Sequence, residues 1–134
     1  HFGRMTKLYT ALSAYRRGLF EEAATLGYPV VRHLWLHYPE DESVFEHELQ
    51  FLLGSEILLA PYTEPCDVSM CTFEQEVHLP DDTWIHLWTG EEYTGGLVTV
   101  EASIGYPAVF YRAGSEDVDT ALEQMREQGL DIHP

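Results

Sequence analysis

The chain has 134 residues, 45% of them hydrophobic, with 23 acidic against 7 basic residues and a formal net charge of −16. That length holds one modest domain or a piece of a larger protein, and the acid excess argues against nucleic acid and anionic membranes as partners, since both demand clustered Lys and Arg. No apolar run approaches the ~20 residues that span a bilayer.

The acids are dispersed rather than gathered into a tail, which keeps the chain in solution without a disordered arm. A salt-rich habitat is the sharper reading of the same excess, and composition alone does not establish it. The opening His1-Phe2-Gly3-Arg4 has neither a starting Met nor a signal peptide. A chain cut from a longer product, working in the cytoplasm, is expected.

Residues Thr6 to Leu26 read as one helix. Met5, Leu8, Leu12, Tyr15, Leu19, Ala23 and Leu26 recur three or four apart along one stripe. Gly27 is its expected stop, with Pro29 preventing continuation. Val30 to Tyr38, rich in Val, Trp and Tyr, reads as a strand. A second helix is expected from Ser43 to Leu53, capped by Asp41 or Ser43 and stopped by Gly54. Ile57 to Ala60 is a short buried strand closed by Pro61.

Thr63 to Met70 is a loop. After it come four short runs with strand character: Phe73 to Leu79, Thr83 to Thr89, Leu97 to Ala102 and Ala108 to Arg112. Pro80-Asp81-Asp82 is turn chemistry, so the first two runs should form a hairpin. Trp84, His86 and Trp88 should then share one face. A last helix follows Ser115, with Val118, Ala121, Leu122 and Met125 as its stripe, Gly129 as its end and Leu130 as the closing contact. The expected fold class is α+β: a helix-strand-helix-strand segment over residues 1–61 that reads as an α/β layer or the tail of a barrel, then an antiparallel, sandwich-like sheet with a terminal helix over residues 62–134.

Cys66 and Cys71 are too few for a disulfide framework, and C-x4-C without a second pair is a poor zinc signal. Two free thiols near a strand start are expected, with a local disulfide as the alternative. His33 and His37 lie about 13 Å apart if their segment is a strand. His78 and His86 would meet across the expected hairpin, and neither pair has a third ligand at sensible spacing. The carboxylate pairs Glu21-Glu22, Asp81-Asp82, Glu91-Glu92 and Glu116-Asp117 are neighbours in turns or helix starts. Glycoside hydrolysis needs carboxylates facing each other across a bond. Trp84, Trp88, Tyr93 and Tyr106 are read as sheet core or as an aromatic sugar platform. From these residues no catalytic, cofactor-binding or metal site is assigned, and no cofactor is expected.

Four stretches in order carry a resemblance: Pro29 to Pro39, Phe51 to Pro61, Leu79-Pro80 with Trp84-Ile85-His86-Leu87-Trp88-Thr89-Gly90, and Pro107 to Ser115. Together they look like the region after the active site in glycoside hydrolase family 31, and most like its bacterial sulfoquinovosidase branch. The segment Tyr15 to Ala24 fits the same stretch. The resemblance implies the end of a (β/α)8 barrel running into a β-sandwich domain. It also implies a retaining mechanism with an Asp nucleophile and an Asp acid/base, both upstream of the matched region, so no catalytic residue is carried over. The expected partners are the rest of a glycosidase chain or a second copy, with carbohydrate reached only through the barrel. The competing reading is a free-standing β-rich module that binds carbohydrate or protein. The first reading expects an apolar patch exposed on the helix Thr6 to Leu26. The second expects that helix to cover its own sheet and an aromatic cleft to lie open.

Overall fold

The computed structural model describes residues 2–63 and 72–132. The first helical segment is divided in two, α1 (Phe2–Ala11) and α2 (Ser13–Leu26). Leu12, with ψ near 6°, makes the joint. The hydrogen-bond ladder still crosses it, from Leu12 N–H to Leu8 O and from Arg16 N–H to Leu12 O. The stripe Leu8, Leu12, Tyr15, Leu19 packs inward as expected, whereas Leu26 stays exposed. Gly27 adopts the left-handed conformation (φ 78°) and returns its N–H to Ala23 O, ending α2 at the foreseen place.

Among the described residues six strands form one antiparallel sheet in the order β1-β2-β3-β6-β4-β5. They are β1 (Val31–Arg32), β2 (Phe51–Leu53), β3 (Ile57–Ala60), β4 (Thr72–His86), β5 (Glu92–Ser103) and β6 (Ala108–Arg112). The helix α3 (Glu116–Glu127) follows. β3, β6 and α3 fall where the sequence placed them. Leu130 closes α3 by donating its N–H to Met125 O.

Three expectations fail locally. The strand Val30 to Tyr38 stops after Arg32, because the His33 ring accepts the N–H of Trp35 and turns the chain into a 3-10 helix over Leu34–Leu36. The helix Ser43 to Leu53 is a 3-10 turn over Glu42–Phe45, capped by Asp41, one of the two caps expected, and then strand β2. Leu52 pairs in register with Leu58 there, and both are wholly buried, so sheet pairing overrides local helical periodicity. Gly54 stops no helix. It sits in the β2–β3 turn with φ 66°, where a Cβ would strike the Tyr15 hydroxyl and the Leu19 side chain.

Pro80-Asp81-Asp82 makes no hairpin turn either. β4 runs through it, with an irregularity between Leu79 and Thr83 opposite Gly95. It acts as a bulge. Val77 and Leu79 before it, and Trp84 after it, end up in one core cluster despite opposite parity. The indole N–H of Trp84 donates to Pro80 O at 3.0 Å, so the bulge accepts the buried donor it creates. The hairpin that joins β4 to β5 turns instead after His86.

The core lies on both faces of the sheet. On one, α1, α2 and α3 cover Ile57, Leu87, Val109 and Tyr111. On the other, the irregular strap from Leu34 through Val44 covers Leu52, Leu58, Val77, Trp84 and Phe110. The class is therefore α+β, and the one sheet takes strands from both sides of residue 61.

Candidate functional site

The aromatic residues do not assemble into one platform. Trp84 is wholly buried and leans on Tyr38, and Tyr93 meets Phe110 edge-on in the same cluster. Trp88 follows the end of β4 and packs against the opposite, helix-facing core. It does not share a face with Trp84 and His86. Its indole N–H donates to Pro107 O at 2.7 Å, its ring meets Tyr106 edge-on, and the Arg4 guanidinium lies 3.7 Å from the Tyr106 centroid. Outward aromatic surface lies elsewhere: Trp35 and Phe45, each near the His33 ring, are both exposed.

The histidines separate as well. His78 and His86 lie on the same strand and do not meet across a hairpin. His33 caps the 3-10 turn, while His37 accepts at 3.0 Å from Arg32. Burial and the Arg32 charge hold His37 below the ordinary histidine range. The Arg32 side chain is fully shielded from solvent. It donates to Pro29 O at 2.7 Å, is ion-paired with Glu22 of α2, and lies over the Tyr28 ring. Sequence reasoning passed over this cluster. Its only signal was an arginine set in an apolar run.

His78 contacts Asp41 at 2.6 Å and stacks in parallel on His47. Burial pushes the Asp41 carboxyl up, but the bond and charge of His78 and the N–H of Ser43 outweigh it and leave Asp41 below the ordinary aspartate range. Among the described residues no three His, Cys, Asp or Glu side chains stand together as a metal site. Cys66 and Cys71 lie outside the described residues.

The carboxylate pairs divide between unrelated roles. Asp82 accepts from Arg112 Nε at 2.8 Å, with the Tyr38 hydroxyl nearby; burial and Asp82 push that hydroxyl up to about 12. Glu91 accepts from Tyr93 at 2.8 Å. Glu22 and Glu56 line a hollow of about 500 Å3 with Glu116 and Asp117, yet each is already paired with an arginine, Arg32 and Arg112 respectively. Asp82, Glu22 and Glu56 are neutralised by arginines that hold elements together, and Glu91 takes its bond from a neutral hydroxyl. An acid facing a base across a vacant bond position is not among them.

Residues 27–115 match the glycosyl hydrolase family 31 C-terminal domain. The sulfoquinovosidase of Escherichia coli (strain K12) is 45% identical over 116 residues, covering 87% of this chain and 16% of that protein. The sulfoquinovosidase of Agrobacterium fabrum is 39% identical over 131 residues, covering 96% of this chain and 19% of that protein. Among solved structures, a family 31 sulfoquinovosidase from E. rectale in complex with an aza-sugar inhibitor superposes with a TM-score of 0.82 at 42% identity, over 95% of this chain and 18% of that one. The chain thus spans less than a fifth of the length of these relatives. With the matched stretch containing the whole sheet from β1 to β6, the chain belongs to glycosyl hydrolase family 31.

Proposed function

We propose that this chain is the C-terminal, structural part of a bacterial retaining α-glycosidase of the sulfoquinovosidase type. The hydrolytic aspartates lie outside it. In this reading α1 and α2 close the barrel, and the single sheet β1 to β6, drawn from both sides of residue 61, forms the domain that follows with α3. The observation that carries it is the extent of the sulfoquinovosidase likeness, which covers 95% of the chain and so reaches beyond the 27–115 match into the flanking helices. The outer sides of α1 and α2 support it too, since Phe2, Tyr9, Phe20 and Leu26 all remain exposed there. The rest of the glycosidase, or a second copy, would cover them. Among the described residues no helix is long and apolar enough to cross a membrane. A cytoplasmic location belongs to the same reading, and cell fractionation tests it.

The purified chain should release no 4-nitrophenol from α-sulfoquinovoside or α-glucoside substrates, and joined to a sulfoquinovosidase barrel that lacks its own C-terminal part it should restore hydrolysis of the sulfoquinovoside. Turnover by the chain alone, abolished by changing one of its own acids, overturns the reading. One observation favours the free-standing module: the helices do cover one face of their own sheet. Burial of Trp84 speaks against the aromatic cleft which that reading requires. Saturable oligosaccharide binding by the isolated chain would decide for the module.

A further inference from the structure

A cavity of about 170 Å3 lies between α1, α3 and the helix-facing side of the sheet. Met5 and Leu8 border it from α1, Leu122 and Met125 from α3, and Trp88 and Val109 from the sheet side. No polar atom faces the space. Met5 at its edge is exposed, so the space opens to solvent there, and a water inside it would find none of the two to four polar partners that hold an ordered one. Its size is close to that of the roughly 150 Å3 apolar cavity, engineered in another protein, that stays dry and binds benzene or xenon.

The walls explain why the space does not collapse. Trp88 is fixed by its bond to Pro107 O and by its edge-on contact with Tyr106, itself pressed by Arg4. Val109 is held in the β3–β6 ladder opposite Leu59. Closing the space would require α1 or α3 to leave its seat on the sheet. The adaptable walls are the two thioethers, Met5 and Met125, whose unbranched chains can repack around a guest.

We propose that this cavity is a binding site for one small apolar molecule, of the size and character of benzene or a short branched alkyl group. The site does not depend on the glycosidase reading and uses none of its chemistry. Guest binding removes apolar surface from water on both sides, with no polar group to desolvate.

The test is titration of the protein, labelled at its methionine methyls, with benzene. The Met5 and Met125 signals should shift together and saturate, and the melting temperature should rise with benzene concentration. Leu8→Phe fills the space from α1, and Val109→Ile adds a single methylene as the milder variant. Either one, folded, should weaken benzene binding at least tenfold. Absence of a saturable shift up to the solubility of benzene in water overturns the proposal. So does binding that both folded variants retain at full strength.

Discussion

The carboxamide of Gln50 and the backbone of His78 hold each other twice: Gln50 Nε2 donates to His78 O at 2.7 Å, and Gln50 Oε1 accepts the His78 N–H at 2.9 Å. The amide thus takes the place of a neighbouring strand along the free edge of β4, and it anchors the strap over the core. Gln50→Ala removes both bonds and leaves a buried donor and acceptor unmatched. A loss of about 2–4 kcal/mol is expected, read as a lowered urea midpoint. Gln50→Glu should recover little of it, because a carboxylate cannot donate to the carbonyl.

Trp84→Ala should cost roughly 3–5 kcal/mol, the usual range for removing a large buried aromatic side chain. It also deprives Pro80 O of its donor. Trp84→Phe keeps most of the volume and loses the bond, so its melting temperature should fall between the two. A melt unchanged by Trp84→Ala would mean that the ring is not core.

Gly54→Ala should be among the most damaging single-methyl additions. A positive φ is unfavourable to any L side chain, and the new methyl would meet Tyr15 and Leu19. Tyr15 is itself tied down, its hydroxyl donating to Leu53 O at 2.7 Å and accepting the Glu56 N–H at 3.3 Å. Burial pushes that hydroxyl up to about 12. Retention of the wild-type urea midpoint by Gly54→Ala would contradict this geometry.

Acid should unfold the protein in two stages. His37 is lowered from 6.5 in the folded state, so the unfolded chain takes up the proton more readily. Its contribution is complete above pH 6.5 and is lost as pH falls through the lower folded value. Asp41 is lowered from 3.8, so its contribution persists to more acidic pH and is lost in turn below that value. In urea titrations between pH 7 and 5, His37→Gln should flatten the first decline and leave the second. An unaltered slope in that variant would remove His37 as its source.

Salt should stabilise the fold. With a net charge of −16 the folded chain repels itself, and the screening length shrinks to about 3 Å at 1 M salt. The melting temperature should climb with potassium chloride well beyond what equal osmolarity of sucrose produces. Light scattering over the same series would show whether copies associate as repulsion is screened.

The sequence was most legible where punctuation was chemical and local. β3 lies between Gly54 and Pro61, β6 begins just after Pro107, and α3 is bracketed by Ser115 and Gly129. It was least legible where distant contacts decide. Phe51 to Leu53 joined a helical pattern until Leu58 offered a strand, and Pro80-Asp81-Asp82 carried the same residues for a bulge as for a turn. The bulge changes which side chains share a face, so it also divided the supposed aromatic platform between two cores. The buried Arg32 was visible only as an anomaly, because its partners Glu22 and His37 come from separate elements.

The strand order also constrains the time at which the sheet can exist. β1 to β3 are neighbours in sequence, as are β4 and β5, but β6 lies between β3 and β4. During synthesis the two half-sheets emerge from the ribosome with no strand yet between them, each holding open the edge meant for β6. The last strand made is the one that joins them. A chain stalled before Ala108 would therefore present two unsatisfied edges at once, the arrangement that invites strand exchange between nascent copies.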